Sequence, residues 1–265
     1  MTGVDSREGR FRADVGVPVL QARGVTRSFG GVVAVIDVDF EVEQGRCVGL
    51  IGPNGAGKST LLNILAGAER ADAGAVLLDG RDVTRLPAYR RARRGLIRTF
   101  QIASEFSNLT VLENLLVAAP SRPLNSLGAA FVRRSWSAAQ SQALERAFTL
   151  LRDIHLEDQA DELAGTLSGG QRRLVEIVRA LMAEPKIMLL DEPTAGVDPG
   201  RIRDIEDCIT AVLARGVTIV MVEHQLEVVS RLCATVHVMA GGRVIASGPL
   251  AEVRLLPEVV EAYVG

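Results

Sequence analysis

The chain has 265 residues, which allows one large domain or two small ones. Hydrophobic residues make up 48% of the sequence and charged residues 23%, so the composition excludes a disordered or collagen-like chain. The 30 basic and 32 acidic residues nearly cancel, which argues against an extended nucleic-acid-binding surface and predicts no nucleic-acid partner. The three cysteines are widely spaced and odd in number, which indicates neither a disulfide framework nor a metal-ligand cluster.

Residues 1–17 combine charge and glycine without an apolar core, which predicts a mobile tail and no secretory signal. We expect residues 18–265 to form a single domain. No stretch of the sequence approaches the ~18 apolar residues that a membrane helix needs. Any role at a membrane is therefore expected on its aqueous side.

The predicted domain begins with short β-rich runs over residues 19–50, broken by glycines. Residues 47–51 are a compact apolar strand that leads into residues 52–60, which read GPNGAGKST. Apolar residues at helical spacing follow, and Gly67 predicts the end of that helix.

Residues 52–59 match the motif G-x-x-x-x-G-K-[ST] in full, and they lie between a strand and a helix as this motif requires. The glycines let backbone N–H groups turn toward a phosphate at a helix N-terminus, where the helix dipole favours anions. Lys58 would reach the β- and γ-phosphates of a nucleotide, and the Ser59 hydroxyl would bind Mg²⁺.

Residues from about 103 to 165 lack β-rich runs and carry helical patterns, so we expect a helical insertion that interrupts an α/β core. Residues 167–171, LSGGQ, open the next helix, and Ser168 and Gln171 have the spacing of a capping box. A capping box does not explain two consecutive glycines, which cost helix stability. An amide-lined helix N-terminus can bind an anion, so this segment is a candidate for a second anion site. A single nucleotide bound at the phosphate-binding motif does not need a second such site.

An apolar strand over residues 187–190 ends in Asp191 and Glu192. Asp191 can hold Mg²⁺ from the side opposite Ser59, and Glu192 is placed to polarise an attacking water as general base. A strand that ends in Asp-Glu is common, so this interpretation depends on the phosphate-binding motif upstream.

The rest of the chain continues the alternation of strands and helices. It comprises a helix near 201–214, a strand at 217–222, a hairpin around 240–243 and a helix at about 250–263. Such an alternation implies right-handed crossovers and a mostly parallel sheet.

The phosphate-binding motif, LSGGQ and IMLLDE occur in the order in which they occur in the nucleotide-binding subunits of ATP-binding cassette transporters, and the chain resembles that family from about residue 19 to 247. The resemblance implies an α/β fold: a P-loop NTPase core (RecA-like, mostly parallel sheet) with an antiparallel β subdomain and an inserted helical subdomain. It implies an ATP hydrolase with ATP and Mg²⁺ as cofactors. It also implies a head-to-tail dimer, in which each nucleotide lies between one P-loop and the other subunit's residues 168–170.

Four further positions match functional residues of that family. Gln101 resembles the glutamine that touches Mg²⁺ and the water, although a polar strand end is the alternative. His224 follows the strand at 217–222, at the ligand-binding edge of such sheets, and resembles the histidine that contacts the γ-phosphate, with a structural role as the alternative. Asp198 resembles the loop aspartate that signals across the dimer, and it can also cap the helix that begins at Pro199. Phe29 resembles the aromatic residue that stacks on adenine, with a core position as the alternative.

The candidate site therefore has three overlapping groups of residues. The predicted catalytic residues are Glu192, His224 and Gln101, and the predicted metal ligands are Ser59, Gln101 and Asp191. The predicted nucleotide-binding residues are Phe29, Gly52, Asn54, Gly55, Ala56, Gly57, Lys58, Ser59, Thr60, Ser168, Gly169, Gly170, Gln171 and Asp198.

Residues 95–101, 109–115 and 253–265 resemble the ATPases of branched-chain amino acid importers. Urea importers and lipopolysaccharide exporters have related ATPases, and Gln225 replaces the aspartate that usually follows the histidine in this branch. The solute therefore stays open. The resemblance implies two membrane permease subunits, a second ATPase subunit (this chain or a similar one) and, indirectly, an extracytoplasmic solute-binding protein. It places the chain at the cytoplasmic face of the membrane.

Two other classes of protein are compatible with a P-loop. A soluble cassette ATPase that acts on DNA or ribosomes usually has a long coiled-coil insertion or a second cassette, and this chain has neither. An ordinary P-loop kinase would leave residues 167–171 without a purpose. The arginines between residues 81 and 98 are compatible with binding to lipid headgroups, but Pro87 and the surrounding charge favour a solvated helix face.

Overall fold

The structure is a computed structural model that describes residues 18–99, 107–120 and 133–264, with only the backbone described at 133–139. The predicted tail at 1–17 and the predicted site residue Gln101 lie outside the described residues. Among the described helices, none combines the length and the apolar composition of a membrane span.

Ten strands and nine α-helices lie within the described residues. The strands are β1 (Pro18–Phe29), β2 (Val32–Glu43), β3 (Cys47–Ile51), β4 (Ala73–Leu78), β5 (Arg81–Asp82), β6 (Leu96–Arg98), β7 (Ile187–Asp191), β8 (Thr218–Val222), β9 (Thr235–Ala240) and β10 (Arg243–Gly248). The helices are α1 (Lys58–Ala66), α2 (Ala88–Ala92), α3 (Val111–Ala118), α4 (Arg133–Asp153), α5 (Gly169–Leu181), α6 (Ile202–Ala214), α7 (Leu226–Leu232), α8 (Leu250–Val253) and α9 (Pro257–Val264).

The smaller sheet is antiparallel and has the order β2–β1–β4–β5. Strand β2 shows why one face of this sheet packs on the core. Val38, Phe40 and Val42 are buried, whereas the alternating Asp39 and Glu41 are exposed. This alternation is typical of an antiparallel sheet with one solvated face.

The larger sheet has the order β10–β9–β3–β8–β7–β6, and its pairs are parallel except for the hairpin of β9 and β10. Every residue of β3, β7 and β8 is buried, as expected for central strands that are covered on both faces. The two sheets and their helices confirm the predicted α/β class and the P-loop NTPase fold.

Strand β7 contributes side chains to a hydrophobic core on each face of the sheet. Met188 and Leu190 pack with residues of α4, α5 and α6, whereas Ile187 and Leu189 pack with residues of α1. The strand is thereby held from both sides. Because β3, β7 and β8 are parallel, the loops that follow them meet at one edge of the sheet, which is where such folds bind ligands.

The described residues of the predicted insertion at 103–165 include two α-helices, α3 and α4. Helix α3 begins after Thr110, whose side chain accepts from the Glu113 amide while the Glu113 carboxylate accepts from the Thr110 amide. Thr110 also forms an isolated antiparallel bridge with Leu163, which brings the two ends of the segment together. The boundaries of the insertion stay a prediction.

The single C-terminal helix predicted at about 250–263 is wrong, because the structure has two helices, α8 and α9, in this segment. Pro257 is the first residue of α9. Proline has no N–H to donate to a preceding turn, and its ring disfavours helical geometry in the residue before it. The helix therefore breaks ahead of Pro257.

The prediction of a solvated helix face is only partly confirmed for the arginines between residues 81 and 98. Arg90 is exposed on α2, whereas Arg85, Arg93 and Arg94 are exposed but lie outside that helix. The prediction is wrong for Arg91, whose exposure is 1%. Burial lowers the pKa of Arg91 to about 10, and the nearby Asp82 opposes that shift. The guanidinium therefore stays charged at neutral pH, and it donates to the carbonyls of Ile64 (2.7 Å), Leu65 (2.7 Å), Leu86 (3.0 Å) and Thr84 (3.0 Å). Two of these carbonyls end α1, so Arg91 satisfies a helix C-terminus.

Candidate active site

The loop between β3 and α1 needs glycine at two positions. A side chain at Gly52 would bring its Cβ to 2.1 Å from the carbonyl oxygen of Met239, and one at Gly57 would come to 2.3 Å from that of Ala34. Both glycines also have positive φ, as does Gly55. The loop is thus folded tightly against β9 and β2, and it leads directly into the N-terminus of α1, where helix amides favour an anion.

Lys58 is the first residue of α1 and is buried, with 6% exposure. Its Nζ donates to the carbonyl oxygens of Gly52 at 2.7 Å and Pro53 at 2.8 Å. Burial lowers the pKa of Lys58, and the negative charges of Glu192 and Asp191 oppose this shift. The predicted phosphate-binding lysine is therefore held against its own loop, close to both predicted carboxylates. Ser59 beside it is exposed.

Asp191 ends β7 and is paired with a residue that the sequence analysis did not assign. Arg98, at the end of the neighbouring β6, donates from Nη2 to Asp191 Oδ2 at 2.7 Å and from Nη1 to the Asn63 side chain in α1. The only signal for Arg98 in the sequence is a basic residue at the end of a strand. The ion pair with Asp191 could be predicted only by knowing that β6 and β7 are adjacent strands.

Glu192 and His224 come together at the ends of β7 and β8. His224 Nε2 lies 3.0 Å from Glu192 Oε1, and the Glu192 amide donates to the Val222 carbonyl at 2.9 Å. Glu192 has a φ of 49°, which is a strained conformation for a residue with a side chain. A strained residue with its carboxylate at the ligand-binding edge of the sheet is consistent with the general base that the sequence predicts.

The LSGGQ segment has the predicted capping geometry. Ser168 Oγ accepts from the Gln171 amide at 3.3 Å, and Gln171 Oε1 accepts from the Ser168 amide at 3.0 Å. A Cβ at Gly169 or Gly170 would meet its nearest neighbours at 3.6 and 3.5 Å, which is ordinary van der Waals contact. Nothing within the described part of this chain therefore requires glycine at these positions.

Asp198 and Phe29 can each be compared with the alternative that the sequence left open. Asp198 caps the short 3₁₀ helix Pro199–Arg201, where its Oδ1 accepts from the Gly200 amide at 2.9 Å, so the capping role is present. Phe29 is 44% exposed at the β1–β2 turn, which excludes a core position. The Arg27 guanidinium lies 4.6 Å from its ring centroid.

The carboxylate and hydroxyl oxygens near Lys58 are suitable ligands for a magnesium ion. Carboxylate and hydroxyl oxygens are the ligands that Mg²⁺ prefers, and Asp191 and the exposed Ser59 supply both kinds. Arg98 contacts one oxygen of Asp191, so the second oxygen is available to a metal ion.

Three comparisons relate this chain to known proteins. The ABC transporter family profile matches residues 35–195. The high-affinity branched-chain amino acid transport ATP-binding protein BraF of Pseudomonas aeruginosa is 38% identical over 251 residues, which cover 94% of this chain and 98% of BraF. The structure of the ADP conformation of MJ1267, an ATP-binding cassette of an ABC transporter, has a TM-score of 0.82 and 37% identity over 94% of this chain and 99% of that one. The dimeric structure of MJ0796, a bacterial ABC transporter cassette, has a TM-score of 0.71 and 28% identity over 87% and 98%.

The chain therefore belongs to the ABC transporter family. It is an ATPase of that family and binds nucleotide. The recognition made from the three motifs is confirmed.

Proposed function

We propose that this chain hydrolyses Mg-ATP to power the import of branched-chain amino acids through a membrane permease. The observation that carries the proposal is the cluster of Lys58, Asp191, Glu192 and His224 at one edge of the sheet, in a chain 38% identical to BraF. The choice of solute class rests on that likeness to BraF, because solute contacts would lie in partner chains.

Nucleotide binding uses the loop at residues 52–60. Its amides would surround the β-phosphate, and Lys58, held beside the loop by two carbonyls, would contact the β- and γ-phosphates. Phe29 offers an exposed ring on which adenine can stack. Ser59, Asp191 and Gln101 would hold Mg²⁺, which neutralises charge on the phosphates when it is bound.

The hydrolytic step uses Glu192 as the general base. Its carboxylate orients a water molecule toward the γ-phosphate and takes a proton from it. His224 Nε2 lies 3.0 Å from the Glu192 carboxylate, and the His224 side chain would contact the γ-phosphate when ATP is bound. Gln101, which lies outside the described residues, would contact the same water and the metal ion.

The second nucleotide-binding surface is the start of α5, which acts in trans. Two chains pair head to tail, so that Ser168, Gly169 and Gly170 of one approach the phosphates bound by the other. Within the described residues of their own chain, no neighbour requires glycine at these two positions, and a close approach by a partner's nucleotide supplies a reason. Asp198 lies in the same interface, and the dimer docks peripherally on two permease subunits at the cytoplasmic face of the membrane.

Replacing Ser168 by Arg separates this trans role from helix capping. Both Ser168→Arg and the control Ser168→Ala remove the cap, so both should lower the free energy of unfolding by about 0.5–2 kcal/mol. Only the arginine puts bulk into the partner's site. Turnover per folded subunit in the assembled complex should therefore fall far more in Ser168→Arg, while ATP binding to the isolated subunit is retained. Equal turnover in the two variants would mean that Ser168 is only a cap.

Reconstitution of the native complex tests the solute class. We expect a tagged chain, purified from its native membranes, to bring with it two permease subunits, with either itself or a similar ATPase as the second cassette. In proteoliposomes with the matching solute-binding protein, leucine should stimulate ATP hydrolysis and accumulate, whereas urea should not. A complex that hydrolyses ATP but responds to urea would contradict the solute class alone.

A further inference from the structure

Glu223, between β8 and His224, is a buried carboxylate that the catalytic scheme does not use. It is 3% exposed. A buried carboxylate is costly unless hydrogen bonds replace the lost water. The contacts that stabilise it therefore show what this residue holds together.

Four donors from two different loops converge on Glu223. Its Oε1 accepts from the Thr194 amide at 3.0 Å and from the Thr194 hydroxyl. Its Oε2 accepts from the His224 amide at 2.7 Å and the Gln225 amide at 3.2 Å. Gln225 Nε2 donates to Thr194 Oγ1 at 3.2 Å, which closes a ring of hydrogen bonds between the loops.

This ring joins the two loops that carry the proposed catalytic pair. Thr194 follows Glu192 by two residues and precedes Asp198 by four, and Glu223 is adjacent to His224. The Glu223 carboxylate thus connects the loop that carries Glu192 to the loop that carries His224. The side chains of Glu192 and His224 themselves meet at 3.0 Å. Glu192 also needs such support because its positive φ is strained.

We propose that Glu223 is a positioning residue that fixes the distance between Glu192 and His224 for hydrolysis. The proposal rests on the function assigned above to these two residues. A carboxylate is required because its two oxygens accept from both loops, one from Thr194 and the other from the His224 and Gln225 amides. Gln225 is part of the same hydrogen-bond network, since its side-chain amide donates to Thr194 Oγ1.

Glu223→Gln tests this with little change of shape. An amide has one acceptor oxygen, so in either orientation its NH₂ group faces the donors of one loop and that loop is released. A displacement of ~1 Å costs about 10²-fold in rate, so kcat should fall by roughly 10–100-fold while the Kd for ATP stays at the wild-type value. Glu227→Gln is the matched control, because Glu227 is an exposed glutamate in the adjoining helix α7.

Thr194→Val leaves Glu223 unchanged and removes the Thr194 hydroxyl, which donates to Glu223 and accepts from Gln225. It should lower kcat in the same direction but less, and Thr194→Ser should restore the wild-type value. These two variants test the positioning role of Glu223 even if Glu223→Gln does not fold.

Two results would overturn the proposal. One is wild-type kcat per folded subunit in Glu223→Gln or, failing its folding, in Thr194→Val. The other is a loss of ATP affinity that parallels the loss of kcat, since that indicates general damage to the site. A wild-type chain without ATP hydrolysis would instead contradict the proposed function, so the two failures are distinguishable.

Discussion

Glu192→Gln should lower the rate of ATP hydrolysis by about 10²–10⁴-fold while ATP still binds. Glutamine keeps the size of the side chain and an acceptor oxygen for His224, which lies 3.0 Å from Glu192 Oε1. It lacks the negative charge and the basicity needed to take a proton from water. Single-turnover hydrolysis and a nucleotide-binding titration on the same preparation measure both quantities.

The comparison with Asp191→Asn distinguishes a base from a metal ligand. With hydrolysis blocked in Glu192→Gln, two subunits should stay closed around Mg-ATP, so size-exclusion chromatography with the native partner should show a dimer that ADP does not produce. Asp191→Asn should instead weaken the dependence on Mg²⁺ and trap no dimer, and it also weakens the ion pair with Arg98. Near wild-type turnover in Glu192→Gln would contradict the assignment of Glu192 as general base and would point to His224 as the group that organises the attacking water.

Lys58→Ala should abolish measurable ATPase activity and weaken Mg-ATP binding. The Lys58 ammonium is buried and already fixed by two loop carbonyls, so its charge is positioned before a phosphate arrives. Alanine removes that charge from the start of α1. Because a ligand stabilises the state to which it binds, saturating Mg-ATP should raise the melting temperature of the wild-type chain and barely change that of Lys58→Ala.

The matched control for this experiment is Lys186→Ala, which changes the other lysine of the chain. Lys186 is exposed and paired with Asp79 at 2.8 Å, just before β7 begins and so at the opposite edge of the sheet from Lys58. Surface ion pairs contribute little to stability, so this variant should keep the wild-type thermal shift with Mg-ATP. Equal shifts in Lys58→Ala and the wild-type chain would contradict the P-loop assignment.

Local patterns in the sequence predicted much of the fold. The apolar run at residues 187–190 predicted a strand buried on both faces, and all five residues of β7 are buried. The spacing of Ser168 and Gln171 predicted the cap of α5. Such features depend on neighbours within a few residues, which is the distance over which sequence patterns are informative.

The side-chain network behind the site could not be predicted in this way. Arg98 meets Asp191 across 93 positions of sequence, and Glu223 meets Thr194 across 29. Neither pair has a periodic pattern, because each depends on which strands become adjacent and on how two loops pass each other. The burial of Arg91 likewise depends on the end of α1, which lies 26 residues earlier.

The cap that Arg91 places on α1 also has a mechanical consequence. Helix α1 has nine residues and is about 13 Å long, with the phosphate-binding loop at its front and a buried guanidinium at its rear. Sliding the helix along its axis would strip hydrogen bonds from a desolvated cation, which is costly. Any shift of α1 along its axis therefore has to carry Arg91 with it, so Arg91 ties the phosphate-binding helix to α2 as one mechanical unit.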